Sequence, residues 1–167
     1  MSPAWFFVVT TSLASDACAL EQLALDRADI DDYECAALCS ALERPRSALR
    51  RLSLVHNLIG AAEQLNAVDP GLVTGGEALA AMLGSNRSLR TLDVSWNLIR
   101  KGSADALARS LRWNATLTEL NLAHNAFADG PTQQLGDALG ANRALTKVGS
   151  VRLCHAYAKA ICPSPQR

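Results

Sequence analysis

A spaced pattern of apolar residues and asparagine recurs along this chain and constrains its fold more than any other feature. The clearest copy runs from Leu89 to Ile99 and reads L-x-x-L-x-L-x-x-N-x-L when Val and Ile count as apolar equivalents. Further copies in the same frame begin at Leu49 and Leu117. This repetition predicts a stack of similar units, in which each unit buries its apolar side against its neighbours.

The spacing of the copies gives the size of one unit. Leu89 and Leu117 are 28 residues apart, as are Leu117 and Leu145. A unit of this length holds a short strand followed by a helix of about three turns. Strand and helix therefore alternate along the chain, and the class is predicted to be α/β.

One unit is longer than the others, because Leu49 and Leu89 are 40 residues apart. The extra residues fall at about 60–75, where Asp69-Pro70-Gly71 favours a turn. They are predicted to leave the stack as a surface loop, either a tolerated insertion or a binding loop. Gly75 and Gly76 are expected to hinge the return of the chain to the next helix.

The repeat period, the strand pattern and the helical half resemble the ribonuclease-inhibitor-like subfamily of leucine-rich repeats, over roughly Leu20 to Leu145. The resemblance implies a solenoid in the shape of a horseshoe arc, with about four to five repeats. A parallel β-sheet would line its concave side, and α-helices would line its convex side. It also implies that Asn57, Asn97 and Asn125 form a ladder that pairs backbone groups in the turn after each strand.

The two ends of the chain lack the repeat pattern. The repeats are expected to fill residues 18–151 as one domain. Residues 1–17 hold an apolar run that is predicted to be an N-terminal cap, although a signal peptide or a segment foreign to the native protein remains an alternative. Residues 152–167 are predicted to form a C-terminal cap helix and tail, because a terminal repeat must cover its open apolar side.

Charge and cysteine content narrow the classes of function. The 16 basic and 16 acidic residues leave no net charge, which argues against partners such as nucleic acid or an anionic membrane. The five cysteines form no C-x-x-C motif, so they predict reduced thiols in a cytoplasmic protein rather than a zinc site or a disulfide framework. Cytoskeletal or ciliary association fits this prediction, and secretion fits it less well. Cys35 and Cys39 are expected to fill the core.

Asparagines also recur at the predicted helix ends. Asn86 and Asn114 each begin a match to the N-glycosylation pattern, and Asn142 keeps the same repeat position without the acceptor hydroxyl. The shared position favours a structural role over glycosylation. These residues are predicted to end the helices in the left-handed conformation that asparagine tolerates.

No arrangement of residues indicates catalysis, a metal site or a cofactor. His56 and His124 occupy one repeat position two units apart, which puts them roughly 10 Å apart and too far to share a metal ion. The resemblance leaves two alternatives to a plain scaffold. One is a GTPase regulator similar to the Ran GTPase-activating protein, and the other is a fragment of a NOD-like receptor array.

The interpretation is a monomeric, non-enzymatic scaffold that binds a protein partner on the concave face. The position before the ladder asparagine predicts one exposed column, namely Arg27, His56, Trp96 and His124. A neighbouring polar column comprises Gln22, Arg51, Thr91, Glu119 and Lys147. Trp96 would be the main contact, because interface hot spots favour tryptophan, although it could instead only cover the adjacent turn. The predicted binding residues are Arg27, Arg51, His56, Thr91, Asp93, Trp96, Glu119, Asn121 and His124.

Overall fold

The computed structural model describes residues 4–43, 47–62, 73–127 and 131–149. Most of the predicted insertion and the predicted C-terminal cap helix lie outside these ranges. Within them, helices and strands alternate strictly along the chain. They are α1 (Ala4–Leu13), β1 (Gln22–Ala24), α2 (Asp32–Leu42), β2 (Arg51–Ser53), α3 (Gly75–Ser85), β3 (Thr91–Asp93), α4 (Lys101–Trp113), β4 (Glu119–Asn121), α5 (Pro131–Ala141) and β5 (Lys147–Val148).

The strands form one parallel sheet in chain order, β1-β2-β3-β4-β5. Helices α2, α3, α4 and α5 pack successively against one another beside the sheet. The predicted α/β solenoid is confirmed, with its parallel sheet on the concave side and its helices on the convex side.

The core lies between the sheet and the helices and is built mainly from leucine. The central residues of successive strands, Leu52, Leu92 and Leu120, are all buried. They are in register with one another across the sheet. One repeat position therefore becomes one continuous apolar row, which explains why the 28-residue period is needed for burial.

Helix α1 lies at the N-terminal end of the stack and packs against α2. Its side chains Phe6 and Leu13 are buried in the common core, whereas Trp5, Phe7 and Val8 are exposed. The apolar run of residues 1–17 therefore contributes to the core through one side of a helix. No helix within the described ranges is long and apolar enough to cross a bilayer.

The expected hinge at Gly75 and Gly76 is wrong, because both residues belong to the first turn of α3 and are buried. A Cβ on Gly75 would lie 2.7 Å from Ile59 Cγ2, and a Cβ on Gly76 would lie 2.2 Å from Ser103 Cβ. The two glycines are needed because neighbouring repeats approach the start of α3 too closely to leave room for a side chain.

The expected left-handed helix ends at Asn86 and Asn114 are also wrong. Their φ angles are −67° and −70°, with extended ψ angles. Each side chain instead bridges two repeats. Asn114 Nδ2 donates to the carbonyl of Leu83 at 2.7 Å, and its Oδ1 accepts from the backbone N–H of Leu117 at 2.8 Å. Asparagine is used here for its paired donor and acceptor, which satisfy a helix end and the following loop together.

Candidate functional site

The turn after each strand has the same unusual backbone conformation. Positive φ angles occur at Arg27 (54°), His56 (61°), Trp96 (57°) and His124 (55°). Such angles are uncommon for bulky residues. The turn is held by backbone bonds between repeats, since the N–H of His56 donates to the carbonyl of Ser95 and that of Trp96 donates to the carbonyl of Ala123.

The asparagine after each left-handed residue points into the stack. Asn97 is buried; its Nδ2 donates to the carbonyls of Leu54, Val94 and Ser95, and its Oδ1 accepts from the N–H of Ile59 at 3.2 Å. Asn57 and Asn125 make equivalent bonds in their own turns. With the asparagine facing inward, the side chain before it is directed outward.

These outward side chains form an aromatic stack on the surface, defined by His56, Trp96 and His124. The centroids of the Trp96 and His124 rings are 3.8 Å apart, with an angle of 15° between their planes. The His56 ring lies 5.6 Å from Trp96 on the other side, inclined by 8°. Trp96 therefore has a ring on each face and is still 49% exposed, so it offers its edge to solvent. Arg27 is exposed at the same position of the first repeat.

The polar column also lies on the strands, in register. Gln22, Arg51, Thr91, Glu119 and Lys147 are successive partners across the sheet. Glu119 and Lys147 form an ion pair at 3.6 Å between two exposed side chains, which contributes little to stability. Two residues further along the strands, Asn121 Nδ2 donates to Asp93 Oδ2 at 2.8 Å. The column and this pair cover the outer face of the sheet with hydrogen-bonding groups.

A shallow depression of about 130 Å³ lies among these groups, at the β5 end of the sheet. It is lined by Thr91, Leu92, Asp93, Glu119, Leu120, Asn121, Lys147 and Gly149. Pockets for small molecules are usually larger, roughly 300–1,000 Å³. The shape of this face therefore fits contact with a broad surface better than enclosure of a small ligand.

Two arginines on this face are absent from the predicted site. Arg50 and Arg90 precede β2 and β3, and both are exposed. The N–H of Arg90 donates to the carbonyl of Arg50 at 2.8 Å, so the two residues are direct neighbours. The insertion hides their periodicity because it separates them by 40 residues instead of 28. Reading the position before the polar column in each copy of the pattern would have found them.

The described part of the chain offers no cluster of three or more His, Cys, Asp or Glu side chains placed to hold a metal ion. Cys18, Cys35 and Cys39 are free thiols, and the last two are buried in the core. A hydrogen bond with Cys39, followed by burial, raises the pKa of the Cys35 thiol well above its usual range, and the nearby charges of Asp32 and Asp31 add to the effect. A thiol in this state is protonated and unreactive at neutral pH.

Comparison with known proteins identifies the repeats. A family model described as "Leucine Rich repeat" matches residues 85–108 and 114–130. A search of curated proteins gives no match.

Solved structures with the same fold are similar over most of their length. One, described as "Leiomodin-1 Actin-Binding Site 2 (ABS2)", has a TM-score of 0.77 and 19% identity, covering 96% of this chain and 87% of that one. Another, the tropomodulin C-terminal domain from Caenorhabditis elegans, has a TM-score of 0.71 and 15% identity, covering 93% of this chain and 88% of that one. At these identities the likeness is one of fold.

Proposed function

We propose that this chain, a leucine-rich-repeat solenoid, is a non-enzymatic scaffold that binds a protein partner on its concave face. The observation that carries the proposal is the aromatic stack of His56, Trp96 and His124. A half-exposed tryptophan fixed between two rings loses little side-chain freedom on binding, and it presents both an apolar edge and an indole N–H. Interface hot spots are enriched in residues with these properties.

The polar surface beside the stack supports the same function. Arg51, Thr91, Asp93, Glu119 and Asn121 lie on the strands next to Trp96 and offer both donors and acceptors. Protein interfaces typically combine a small aromatic centre with a polar rim of this kind. Arg27 would extend the rim on the side of the first repeat.

Actin is the first partner to test, because the similar leiomodin-1 structure is that of an actin-binding site. A cytoplasmic location and a monomeric chain would accompany this function. The identity shared with that structure is too low to carry its partner over, so the test must be open to other proteins.

The experiment compares two exposed tryptophans on opposite sides of the solenoid. Trp96 lies beside the sheet, whereas Trp113 ends helix α4 and is 81% exposed. The full chain, a Trp96→Ala variant and a Trp113→Ala variant are each immobilised and exposed to purified actin and, separately, to cell lysate with detection by mass spectrometry. We expect Trp96→Ala alone to weaken capture, by about tenfold or more in affinity for a hot-spot residue.

A stability measurement separates loss of contact from loss of fold. Asn97→Ala removes buried hydrogen bonds and is expected to destabilise the protein by roughly 1–3 kcal/mol. Trp96→Ala should leave the urea melting curve much closer to that of the unaltered chain. If Trp96→Ala unfolds as readily as Asn97→Ala, or if Trp113→Ala weakens capture equally, the stack is not the binding centre.

A further inference from the structure

Three exposed arginines are grouped at the N-terminal ends of two neighbouring strands. Arg50 and Arg51 lie at the start of β2, and Arg90 lies directly before β3. The backbone bond from Arg90 to Arg50 and the register of Arg51 with Thr91 place all three on adjacent chains. We call Arg50, Arg51 and Arg90 the arginine patch.

The arginine patch carries positive charge that the described residues do not neutralise. Within those residues, no carboxylate oxygen lies within 4.0 Å of its guanidinium groups. Glu21 is the nearest carboxylate along the sheet, since its backbone carbonyl accepts from the N–H groups of Arg50 and Arg51, but its side chain makes no ion pair with them. The Arg90 guanidinium instead donates to the carbonyl of Thr116 at 2.9 Å, which directs it over β4.

Equal charges on directly opposed residues of neighbouring strands destabilise a sheet. Arg50 and Arg90 are opposed in this way, about 5 Å apart across the ladder. A negatively charged group bound between them would remove the repulsion. Guanidinium groups suit this task because their parallel N–H donors match the two oxygens of a carboxylate.

The opposite end of the same strands carries negative charge. Asp93 is fixed by bonds from Ser95 and Asn121. Asp26 accepts from the hydroxyl of Ser53 at 2.6 Å and from the N–H of Val55 at 2.9 Å. The binding face is thus divided into a positive end and a negative end. A long polyanion such as a nucleic acid would meet repulsion at the negative end, whereas a short acidic stretch of a protein would not.

We propose that the arginine patch binds the carboxylates of a short acidic segment in the protein partner, while the aromatic stack contacts an apolar part of the same partner. This inference rests on the proposed function and specifies the partner's chemistry and orientation. It also explains how a chain without net charge can select a charged ligand, since the charges are separated along the strands rather than absent.

The experiment measures binding of a fluorescein-labelled glutamate-rich peptide by fluorescence anisotropy. The paired variant Arg50→Gln with Arg90→Gln is compared with Arg109→Gln with Arg112→Gln, which removes two exposed arginines from α4 on the helical side. We expect the first pair to lower the affinity roughly tenfold and the second to change it little, because only the first loses direct charge-assisted contacts. Affinity should also fall as salt is added.

Two further probes complete the test. A lysine-rich peptide of equal length should not bind, and a single-stranded oligonucleotide of equal length should bind more weakly than the glutamate-rich peptide. Absence of peptide binding, equal loss in both arginine pairs, or tighter binding of the oligonucleotide would each overturn the inference.

The partner captured by the unaltered chain then distinguishes two failures. If its capture needs Trp96 but tolerates loss of Arg50 and Arg90, the acidic-segment inference fails while the scaffold function stands. If its capture tolerates both changes, the concave face is not used and the proposed function fails as well. Dependence on both is the result expected.

Discussion

Trp96 and His124 stack with their ring centroids 3.8 Å apart, although each residue has a left-handed backbone with φ near 55°. The two observations have one cause. The left-handed turn directs Asn97 and Asn125 into the stack to bond with backbone groups, and it therefore directs the preceding side chains out of it. The surface that we propose for binding is thus a direct product of the turn that completes the core.

The turn at Trp96 predicts an unusual ranking of variants. Glycine accepts a positive φ without steric cost, whereas alanine costs roughly 1–2 kcal/mol there. Since both substitutions remove the ring, we expect Trp96→Gly to be more stable than Trp96→Ala by about 1 kcal/mol, reduced by the extra freedom that glycine gives the unfolded chain. Urea denaturation of the two variants measures the difference. An alanine variant as stable as the glycine variant would contradict the left-handed assignment.

The sequence was sufficient to predict the parts of this fold that depend on spacing alone. Residues at equal positions in each repeat, such as Arg51, Thr91 and Glu119, became partners in the sheet because a parallel stack keeps equal positions in register. The same argument placed His56, Trp96 and His124 in one row. Their backbone conformation was not predicted, because nothing in a bulky aromatic side chain indicates a positive φ.

Contacts between residues in different repeats were beyond a sequence reading. Asp32 looks like an ordinary residue at the start of a helix, but its buried carboxylate accepts from the N–H groups of Gly60, Ala62 and Gly75, 28 to 43 residues away. The roles of Gly75 and Gly76 depend on the same close approach. Only the packed stack reveals which small or acidic residue a neighbouring repeat requires.

Asp32 therefore provides a sharp test of packing at the start of α3. Asp32→Asn replaces one accepting oxygen with an N–H₂ group that faces backbone donors, so it should destabilise the protein by roughly 2–3 kcal/mol. Asp31→Asn is the matched control, because Asp31 is an exposed N-cap and asparagine caps a helix equally well. Chemical denaturation should show a change of less than about 1 kcal/mol for the control. Equal effects of the two changes would refute the bonding role of Asp32.

Two glycines in α3 predict opposite responses to alanine. At Gly76 an added Cβ would lie 2.2 Å from Ser103 Cβ, whereas at Gly84 it would meet nothing within 4 Å. Gly76→Ala is therefore expected to destabilise by about 1–3 kcal/mol through overpacking. Gly84→Ala should stabilise by up to about 1 kcal/mol, because alanine favours the helix. Thermal melting of both variants checks the sign, and a stabilising Gly76→Ala would show that the repeats are less closely packed there.

The buried thiol of Cys35 predicts how stability changes in alkaline solution. Its pKa is raised by the hydrogen bond with Cys39 and by burial, so the folded protein keeps a proton that the unfolded chain loses above about pH 8.5. Unfolding then releases a proton, and the free energy of unfolding falls as pH rises, by up to about 1.4 kcal/mol per pH unit from this group. Below the unfolded pKa the contribution is constant.

Comparison with Cys35→Ala isolates this effect, because the packing lost by that change does not depend on pH and the other cysteines are common to both proteins. We expect the stability advantage of the unaltered chain over Cys35→Ala to be constant near neutral pH and to shrink above about pH 8.5. Urea denaturation at a series of pH values in the presence of a reductant measures it. An advantage that stays constant or grows with pH would mean that the folded protein does not hold the Cys35 proton, and that the thiol is open to solvent.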